Sequence, residues 1–350
     1  MFPFQEAKDQ FVRPLLSEAV FAYRMRWKRR RLLLRSLRKR KQIRRIKHRI
    51  GSAPSSGVLV FSTMRNEMDR IAHWLDYYRS LGVAHFLIVD NASDDGTAEY
   101  LGDQPDVSLW STAHSYKLSR FGVDWLTCLQ FRYGHGRWCL TVDADELLVF
   151  PDSDEQGLNG LTADLDRVGL RSFGAVIIDL YPKGPVNKSE FTRGANPLDT
   201  LQWLDADNYR AKRHPVFNNL WIQGGVRARM FFEAEPARAP TLNKTPLIKW
   251  HRSYAYVTST HQTLPRKLDD VFSTNRKSLR SGVLLHTKFL PNIATKSAEE
   301  IVRKQHFENS TLYQEYYQSL IDGPDLWSEN SVRYVGSVQL EALGLMSRGD

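Results

Sequence analysis

The feature that most constrains the fold is a strand–helix–strand pattern between residues 58 and 89. Residues 58–61 (VLVF) and 84–89 (AHFLIV) are short apolar runs that are typical of buried strands. Between them, apolar side chains recur at three- and four-residue intervals from Ile71 to Leu81, which indicates one face of a helix. Two strands joined by a helix within about 35 residues are typical of a parallel pair with a right-handed crossover. The pattern predicts an α/β fold.

Polar side chains follow three of the predicted strands. Residues 62–67 (STMRNE) follow the first strand, residues 90–96 (DNASDDG) follow the second, and residues 143–146 (DADE) follow a third apolar run that starts at Trp138. Ligands of open α/β sheets bind at the carboxyl ends of the strands. Loop solubility explains any one cluster, but three together predict a binding site. The first loop lacks G-x-G-x-x-G, which argues against a hydride-transferring dinucleotide fold.

The third cluster contains two aspartates, Asp143 and Asp145, separated by one residue. If strand geometry persists there, the two carboxylates project from the same face. Charges are costly in a buried strand, so the pair is expected to bind a cation or a hydrogen-bond network. Hard oxygen ligands suit Mg²⁺ or Mn²⁺, which usually share their coordination with a substrate's phosphates. Two carboxylates capping a turn are the alternative, and the motif alone does not separate these two interpretations.

The positive charge of the chain is concentrated in one segment. The 350 residues have a formal net charge of +10, but residues 24–49 contain 15 Lys and Arg and no acid, so subtracting them leaves −5. Apolar residues recur at helical spacing within this segment, which predicts a basic amphipathic helix over residues 24–50. Such a helix suits an anionic membrane surface. An acidic protein partner or packing on its own domain are alternatives, and nucleic acid is not expected because the charge is so local.

Composition also bears on the compartment. Cys128 and Cys139 provide neither a disulfide framework nor a metal-binding spacing, which fits a reducing compartment. No apolar run is long enough to span a bilayer, and the N-terminus lacks the apolar core of a signal peptide. We therefore expect a cytoplasmic protein that lies peripherally on the inner face of the cell membrane.

The predicted domains follow from a change in composition. Residues 51–57 (GSAPSSG) have the composition of a linker. This predicts an N-terminal extension at residues 1–50, a sheet domain at residues 58–292 and a C-terminal helical extension at residues 293–350.

Three motifs occur in a fixed order: residues 63–67 (TMRNE), 89–97 (VDNASDDGT) and 142–146 (VDADE). Together they resemble the family 2-like glycosyltransferases of the GT-A fold, and in particular a bacterial branch that is itself similar to glycosyltransferase family 92. The similarity covers residues 58–151, with weaker agreement to residue 290. It implies a mixed, mainly parallel sheet flanked by helices. It also implies a metal-dependent enzyme, of the inverting hexosyltransferase type, that moves a sugar from a nucleotide donor to a glycan or lipid-linked acceptor in cell-surface polysaccharide synthesis.

The resemblance also implies roles for individual residues. The donor-binding residues would be Thr63, Arg65, Asn66, Glu67, Asp90, Asn91 and Asp95. Asp143 and Asp145 would hold Mn²⁺ or Mg²⁺ against the diphosphate, with UDP as the expected nucleotide. His286 is the candidate third metal ligand. Residues 284–290 (LLHTKFL) alternate, with Lys288 two residues after His286 on the same face, and Lys288 would then reach the diphosphate.

The sequence does not identify a general base. An inverting transferase needs a carboxylate that takes the acceptor's proton. The acids that qualify by position are Asp179, Asp205, Asp207 and Glu233. No E-D or Q-x-x-R-W signature is present, so none of them is assigned. A nucleotidyltransferase and a non-catalytic nucleic-acid or membrane binding protein built on the basic helix stay open as alternatives, although the first usually carries a Gly-rich phosphate loop.

Overall fold

A nine-stranded mixed sheet forms the centre of the fold. The computed structural model describes residues 5–6, 15–214, 216–217, 219–272, 280–303 and 313–349. The strands are β1 (Gln5–Glu6), β2 (Arg44–Lys47), β3 (Val58–Met64), β4 (Val83–Asp90), β5 (Val107–Ser111), β6 (Trp138–Thr141), β7 (Glu146–Val149), β8 (Ser172–Asp179), β9 (Trp203–Leu204), β10 (Arg210–Arg213), β11 (Leu220–Gln223), β12 (Asn243–Lys249), β13 (Ala255–Thr258), β14 (Gln262–Leu264), β15 (Ser281–His286) and β16 (Val332–Arg333).

The order of strands in the sheet is β2-β5-β4-β3-β6-β12-β8-β15-β7. Strands β5, β4, β3 and β6 are parallel neighbours, and so are β8 and β15. Strands β2, β12 and β7 run antiparallel to their neighbours. The predicted α/β architecture, with a mixed sheet flanked by helices, is confirmed.

Helices cover both faces of this sheet. They are α1 (Leu15–Lys39), α2 (Ile71–Ser80), α3 (Thr97–Asp103), α4 (Val123–Tyr133), α5 (Ser153–Arg167), α6 (Pro197–Thr200), α7 (Gly225–Phe231), α8 (Ile293–Arg303), α9 (Gln314–Ile321) and α10 (Ser337–Ala342). None of the helices in the described residues is both long and apolar enough to cross a membrane.

The predicted strand–helix–strand unit is β3, α2 and β4. Every residue of β3 is buried, because neighbouring side chains along the strand contact helices on opposite faces of the sheet. Val60 belongs to the apolar cluster that contains Trp74 of α2, whereas Phe61 belongs to the cluster that contains Trp125 of α4. Burying one such side chain contributes about 1.5–3 kcal/mol, so this two-sided burial fixes the unit at the centre of the sheet.

The helix predicted over residues 24–50 is wrong in its bounds. Helix α1 ends at Lys39, and after four intervening residues the chain forms β2, which pairs antiparallel with the edge of β5. The pairing satisfies backbone groups on one side of β5, and exposed Arg and Lys side chains are typical of a protected sheet edge. Since β2 belongs to the central sheet, residues 51–57 do not separate the basic segment from the sheet domain.

Helix α1 is also held to the sheet domain by charge. Arg35 Nε donates to Asp124 Oδ2 on α4 at 2.7 Å, and Arg120 donates to Asp124 Oδ1 at 2.6 Å. The Asp124 side chain is fully buried, so both cations offset the cost of burying its charge.

The C-terminal segment contains the predicted helices but also contacts the sheet domain through a strand. Helices α8, α9 and α10 lie within it, and β16 pairs antiparallel with β9. Residues 304–312 of the predicted extension lie outside the described residues.

One buried acid predicts how stability changes with pH. Asp269 accepts hydrogen bonds from Thr263 and Thr245, yet burial raises the pKa of its carboxyl from 3.8 to about 7 because these bonds offset only part of the desolvation. The folded protein therefore keeps this proton at pH values where the unfolded chain has released it, and this group's contribution to stability falls as pH rises from about 4 to about 7.

Asp269→Asn should remove that loss. As the pH rises from 4.5 to 7.5, the unfolding free energy of the variant should increase relative to that of the unchanged protein by on the order of 2–4 kcal/mol. Denaturant unfolding of both proteins at the two pH values measures the difference. Parallel pH profiles of the two proteins would show that Asp269 does not titrate differently in the folded state.

Candidate active site

The site is built where the parallel strands β3, β4 and β6 end side by side. Met64 at the end of β3 is paired with Asp90 at the end of β4, and Val142, just after β6, donates to the Phe61 carbonyl oxygen. Strands β7, β8 and β15 meet at the same region, since His286 is paired with both Glu146 and Asp179. The sheet topology thus brings together residues that are more than 200 positions apart in the chain.

A cleft of about 370 Å³ opens beside the ends of β3, β4 and β5. Arg65 and Asn91 from the predicted motifs line it, together with His114, Tyr116 and Arg303. A volume of this size falls in the range of small-molecule sites. Sequence reasoning missed the last three residues, because His114 and Tyr116 lie in an irregular loop and Arg303 lies on a helix without a recognisable motif.

Arg65 and Asn91 link the first two motif loops. Arg65 Nη1 donates to the carbonyl oxygens of Asn91, at 3.1 Å, and of Ala92. The Asn91 amide donates to the carbonyl oxygens of Thr112 and His114, at 3.0 Å each. These bonds hold one wall of the cleft in a fixed geometry.

Asp90 is buried beside this cleft, and one of its two carboxylate oxygens accepts no hydrogen bond from the described residues. Its Oδ2 accepts from the Ser93 backbone N–H at 3.2 Å, whereas Oδ1 is buried and has no hydrogen-bond partner among the described residues. Burial raises the pKa of this carboxyl above its usual value. A buried acceptor without a partner is costly, so it is expected to meet a donor on a ligand. Thr63 Oγ1 nearby in β3 is also buried without a partner.

Other residues of the predicted donor set are used within the protein. Asp95 accepts from Thr97 N and Oγ1 and from Met68 N, which ties the second motif loop to the start of α3 and to the first loop. Glu67 is paired with Arg70 at 3.0 Å and with Lys296 at 2.8 Å, and Asn66 exchanges hydrogen bonds with Asp94. These three residues shape the loops that surround the cleft.

The D-x-D segment is a turn rather than the end of a strand. Strand β6 ends at Thr141, and the Glu146 N–H donates to the Asp143 carbonyl oxygen at 3.2 Å. Strand geometry therefore does not persist to Asp143 and Asp145, and the condition for predicting their shared face from it is not met. The turn arises because the chain leaves the middle of the sheet at β6 and re-enters it at the far edge as β7. The Trp74 indole fixes it by donating to the Asp143 carbonyl oxygen at 3.1 Å.

A buried lysine neutralises one side of this turn. Lys244 Nζ on β12 lies 2.8 Å from Asp143 Oδ2 and 2.5 Å from Glu146 Oε1. Burial alone would lower the pKa of Lys244, but the two carboxylates outweigh it and raise the pKa. Burial also raises the pKa of Glu146, against the opposing effect of Lys244. Sequence reasoning missed Lys244, although a lysine among Thr and apolar residues in a strand is itself a sign of a buried cation.

His286 lies between two aspartates on the other side of the turn. Its Nε2 is 3.0 Å from Asp145 Oδ2, and its Nδ1 is 2.6 Å from Asp179 Oδ1. Burial alone would lower the pKa of His286, but the two carboxylates raise it above the usual value. Burial of Asp145 opposes its ionisation. The charge of His286 outweighs this effect and holds the pKa of the Asp145 carboxyl well below its usual range.

Arg227 completes this row of charges. Its Nε donates to Asp179 Oδ2 at 2.7 Å, from the short helix α7. Despite burial, Arg227 and His286 lower the pKa of Asp179 to about 2. Two of the acids that qualify by position as a general base are therefore engaged within the protein. Asp179 is held in its ionised form by Arg227 and His286, and Asp205 is paired with Arg229 at 2.9 Å.

Lys288 lies just beyond the end of β15 and is not engaged by a carboxylate. No acid within the described parts of the chain lies within ion-pair distance of its Nζ. Burial, helped by the charge of Arg227, lowers the pKa of this ammonium to about 8. A partly desolvated cation without a partner is suited to an anionic ligand.

The predicted metal ligands lie close together, but they do not form a complete coordination site by themselves. Across the described residues, no three His, Cys, Asp or Glu side chains are arranged to hold a metal ion. Both ring nitrogens of His286 contact carboxylates, those of Asp145 and Asp179, and its role as the third ligand stays a prediction. Within the described part of the chain, the carboxylates of Asp143 and Asp145 accept hydrogen bonds only at their Oδ2 atoms. Two carboxylates with open oxygens fit a Mg²⁺-like ion that takes its other ligands from phosphate and water.

Comparison with known proteins points to one family. No protein-family model matches the chain. It is 27% identical over 160 residues to a glycosyltransferase family 92 protein of Arabidopsis thaliana, covering 39% of this chain and 27% of that protein. It is also 27% identical over 100 residues to a family 92 protein of Oryza sativa subsp. japonica, covering 26% of this chain and 16% of that protein. The chain thus spans well under a third of either relative, and its resemblance to glycosyltransferase family 92 proteins is confirmed.

Proposed function

We propose that this protein is a glycosyltransferase of the GT-A type that binds a nucleotide-sugar at the ends of β3, β4 and β6. The meeting of the three motif loops at the ends of β3, β4 and β6, with residues of the first two loops lining one cleft, supports this proposal most strongly. The similarity to family 92 proteins supports the same reaction class. Because that similarity covers a small part of the relatives, the activity is proposed from the site.

The cleft of about 370 Å³ would take the nucleoside. Asp90 Oδ1 supplies a buried acceptor for an N–H or hydroxyl group of the ligand. Tyr116 supplies an apolar wall against which a planar base can pack. UDP is the nucleotide we expect.

The diphosphate would extend from this cleft towards the D-x-D turn and Lys288. Lys288 would bind phosphate oxygens, and its lowered pKa reflects a site with little water around the ammonium. Asp143 and Asp145 would hold Mn²⁺ or Mg²⁺, which neutralises charge on the departing nucleoside diphosphate when it is bound. Lys244 and His286 hold the two aspartate side chains in place through their contacts with the Oδ2 atoms of Asp143 and Asp145.

The acceptor and its setting complete the proposal. We propose transfer of a hexose, with inversion, to a glycan or lipid-linked acceptor during synthesis of cell-surface polysaccharide, on the cytoplasmic face of the membrane. The basic helix α1 supports this placement, because its positive charge is suited to anionic lipids.

Asp90→Asn tests the nucleoside site. The substitution removes a buried charge, so the variant should be at least as stable as the unchanged protein, but it should bind the nucleotide-sugar about 10-fold more weakly or worse, since a hydrogen bond to a charged group contributes about 1.5–3 kcal/mol. Titration calorimetry measures the affinity, and thermal unfolding measures the stability.

Asp103→Asn is the matched control, because Asp103 is an exposed aspartate at the end of α3. It should leave the affinity unchanged. If Asp90→Asn and the unchanged protein bind the nucleotide-sugar with equal affinity, the nucleoside does not bind at Asp90 in this cleft.

A further inference from the structure

A second cleft, of about 760 Å³, lies beside Trp110 of β5. It is bordered by the end of α1, by β2 and by the C-terminal half of α4. It shares none of its lining residues with the cleft at the strand ends. Its volume is within the range of sites for small molecules.

Four arginines surround this second cleft: Arg40, Arg45, Arg132 and Arg252. Two of them lie in residues 40–45, one lies on α4 and one lies between β12 and β13, and all four are exposed. None of them is paired with a carboxylate within the described ranges. The guanidinium groups of Arg132 and Arg252 lie over the rings of Tyr133 and Phe131. Like charges gathered without counterions repel each other, so this arrangement favours an anionic ligand.

The floor of the second cleft is apolar. Leu37, Ile43, Trp110, Leu129 and Phe131 line it between the arginines. Phosphate alone would leave this surface in contact with water. A ligand that combines a phosphate with a hydrocarbon chain would cover both parts, because each buried CH₂ group contributes about 0.8 kcal/mol.

The outer face of α1 beside this cleft is also apolar. Val20, Tyr23, Trp27 and Leu34 are 51%, 60%, 47% and 49% exposed. Their spacing places them on one stripe of the helix, opposite Ser36, which contacts Asp124 of α4. Exposed Trp, Tyr and Leu flanked by Arg are typical of a helix that lies in a membrane interface.

We propose that the second cleft binds one anionic phospholipid. The guanidinium groups would bind the phosphate through charge-assisted hydrogen bonds, one acyl chain would lie on the apolar floor, and the stripe of α1 would face the bilayer. This site is separate from the donor site, so its existence does not depend on the proposed transfer reaction.

The test is calorimetric titration of the full chain with soluble short-chain lipids. Dihexanoyl phosphatidylglycerol should bind with a stoichiometry of about one, and dihexanoyl phosphatidylcholine should bind about 10-fold more weakly or worse, because its headgroup has no net charge. Inorganic phosphate should also bind about 10-fold more weakly or worse, because it lacks the chain.

Two matched variants locate the site. Arg45→Gln with Arg252→Gln removes two charges from the cleft and should weaken phosphatidylglycerol binding about 10-fold or more. Arg31→Gln with Arg38→Gln removes two exposed charges from α1 outside the cleft and should leave this affinity unchanged. All four arginines are exposed, so thermal unfolding should show that both variants fold.

Three results would overturn the proposal. Equal binding of phosphatidylcholine would show that charge does not select the ligand. Equal binding of inorganic phosphate would assign the cleft to a free anion. An equal loss in both variants would show general attraction to a basic surface instead of a defined site.

Discussion

Lys244→Met should lower the free energy of unfolding by about 3–5 kcal/mol at neutral pH. The Lys244 side chain is 4% exposed and contacts Glu146, whose side chain is 2% exposed, so its removal leaves a carboxylate buried without a cation. Methionine keeps most of the volume of the lysine side chain. The decrease in unfolding free energy therefore measures the loss of the charge more than a change in packing. Denaturant unfolding monitored by tryptophan fluorescence measures the change.

The double variant Lys244→Met with Glu146→Gln provides the control. It removes the buried charge together with its partner, and it should recover a large part of the stability lost in the single variant. If the single and double variants are equally unstable, the loss comes from packing of the β12 side chain and not from the ion pair.

Asp145→Asn should reduce sugar transfer about 100-fold or more while leaving the protein folded. Asparagine has nearly the same shape and can still hydrogen-bond to His286, but it lacks the charge that would hold a divalent ion at the diphosphate. Loss of one electrostatic group at a reacting centre commonly costs about 10²–10³ in rate. Release of nucleoside diphosphate from the nucleotide-sugar, in the presence of Mn²⁺, measures the rate.

Asp322→Asn, an exposed aspartate after α9, is the control for this substitution and should retain full activity. Activity of Asp145→Asn within a few-fold of the unchanged protein would show that Asp145 has no part in the reaction. Asp145→Ala should be as inactive and also less stable than Asp145→Asn, because alanine removes the hydrogen bond to His286 Nε2 as well as the charge.

The centre of the sheet was predictable because its signals are local. Strands β3 and β4 are apolar along their length, and the polar loops that follow them share one edge wherever the strands are parallel. The convergence of Arg65, Asn91 and Asp143 follows from this rule without any knowledge of the rest of the chain.

The surrounding structure was less predictable because it depends on contacts between distant residues. Nothing near Arg44 in the sequence indicates that residues 44–47 pair with β5, and their helical spacing of apolar residues favoured a longer α1. The approach of Lys244 to Asp143 likewise depends on β12 lying between β6 and β8. The contacts of Glu67 and Asp95 within the protein were not predictable for a similar reason, since their partners lie in other loops or helices.

The most direct measurement of the central claim is a thermal-unfolding series with UDP-, GDP- and dTDP-sugars, each with Mn²⁺, Mg²⁺ or EDTA. A ligand that binds only the folded state stabilises it by about 2.7 kcal/mol at 100 times its Kd. We expect the melting temperature to rise with one nucleotide class, to rise most with a divalent ion, and to rise much less in Asp90→Asn and Asp145→Asn. The absence of a rise with every donor, in a protein that unfolds cooperatively, would contradict a nucleotide-sugar site at the strand ends.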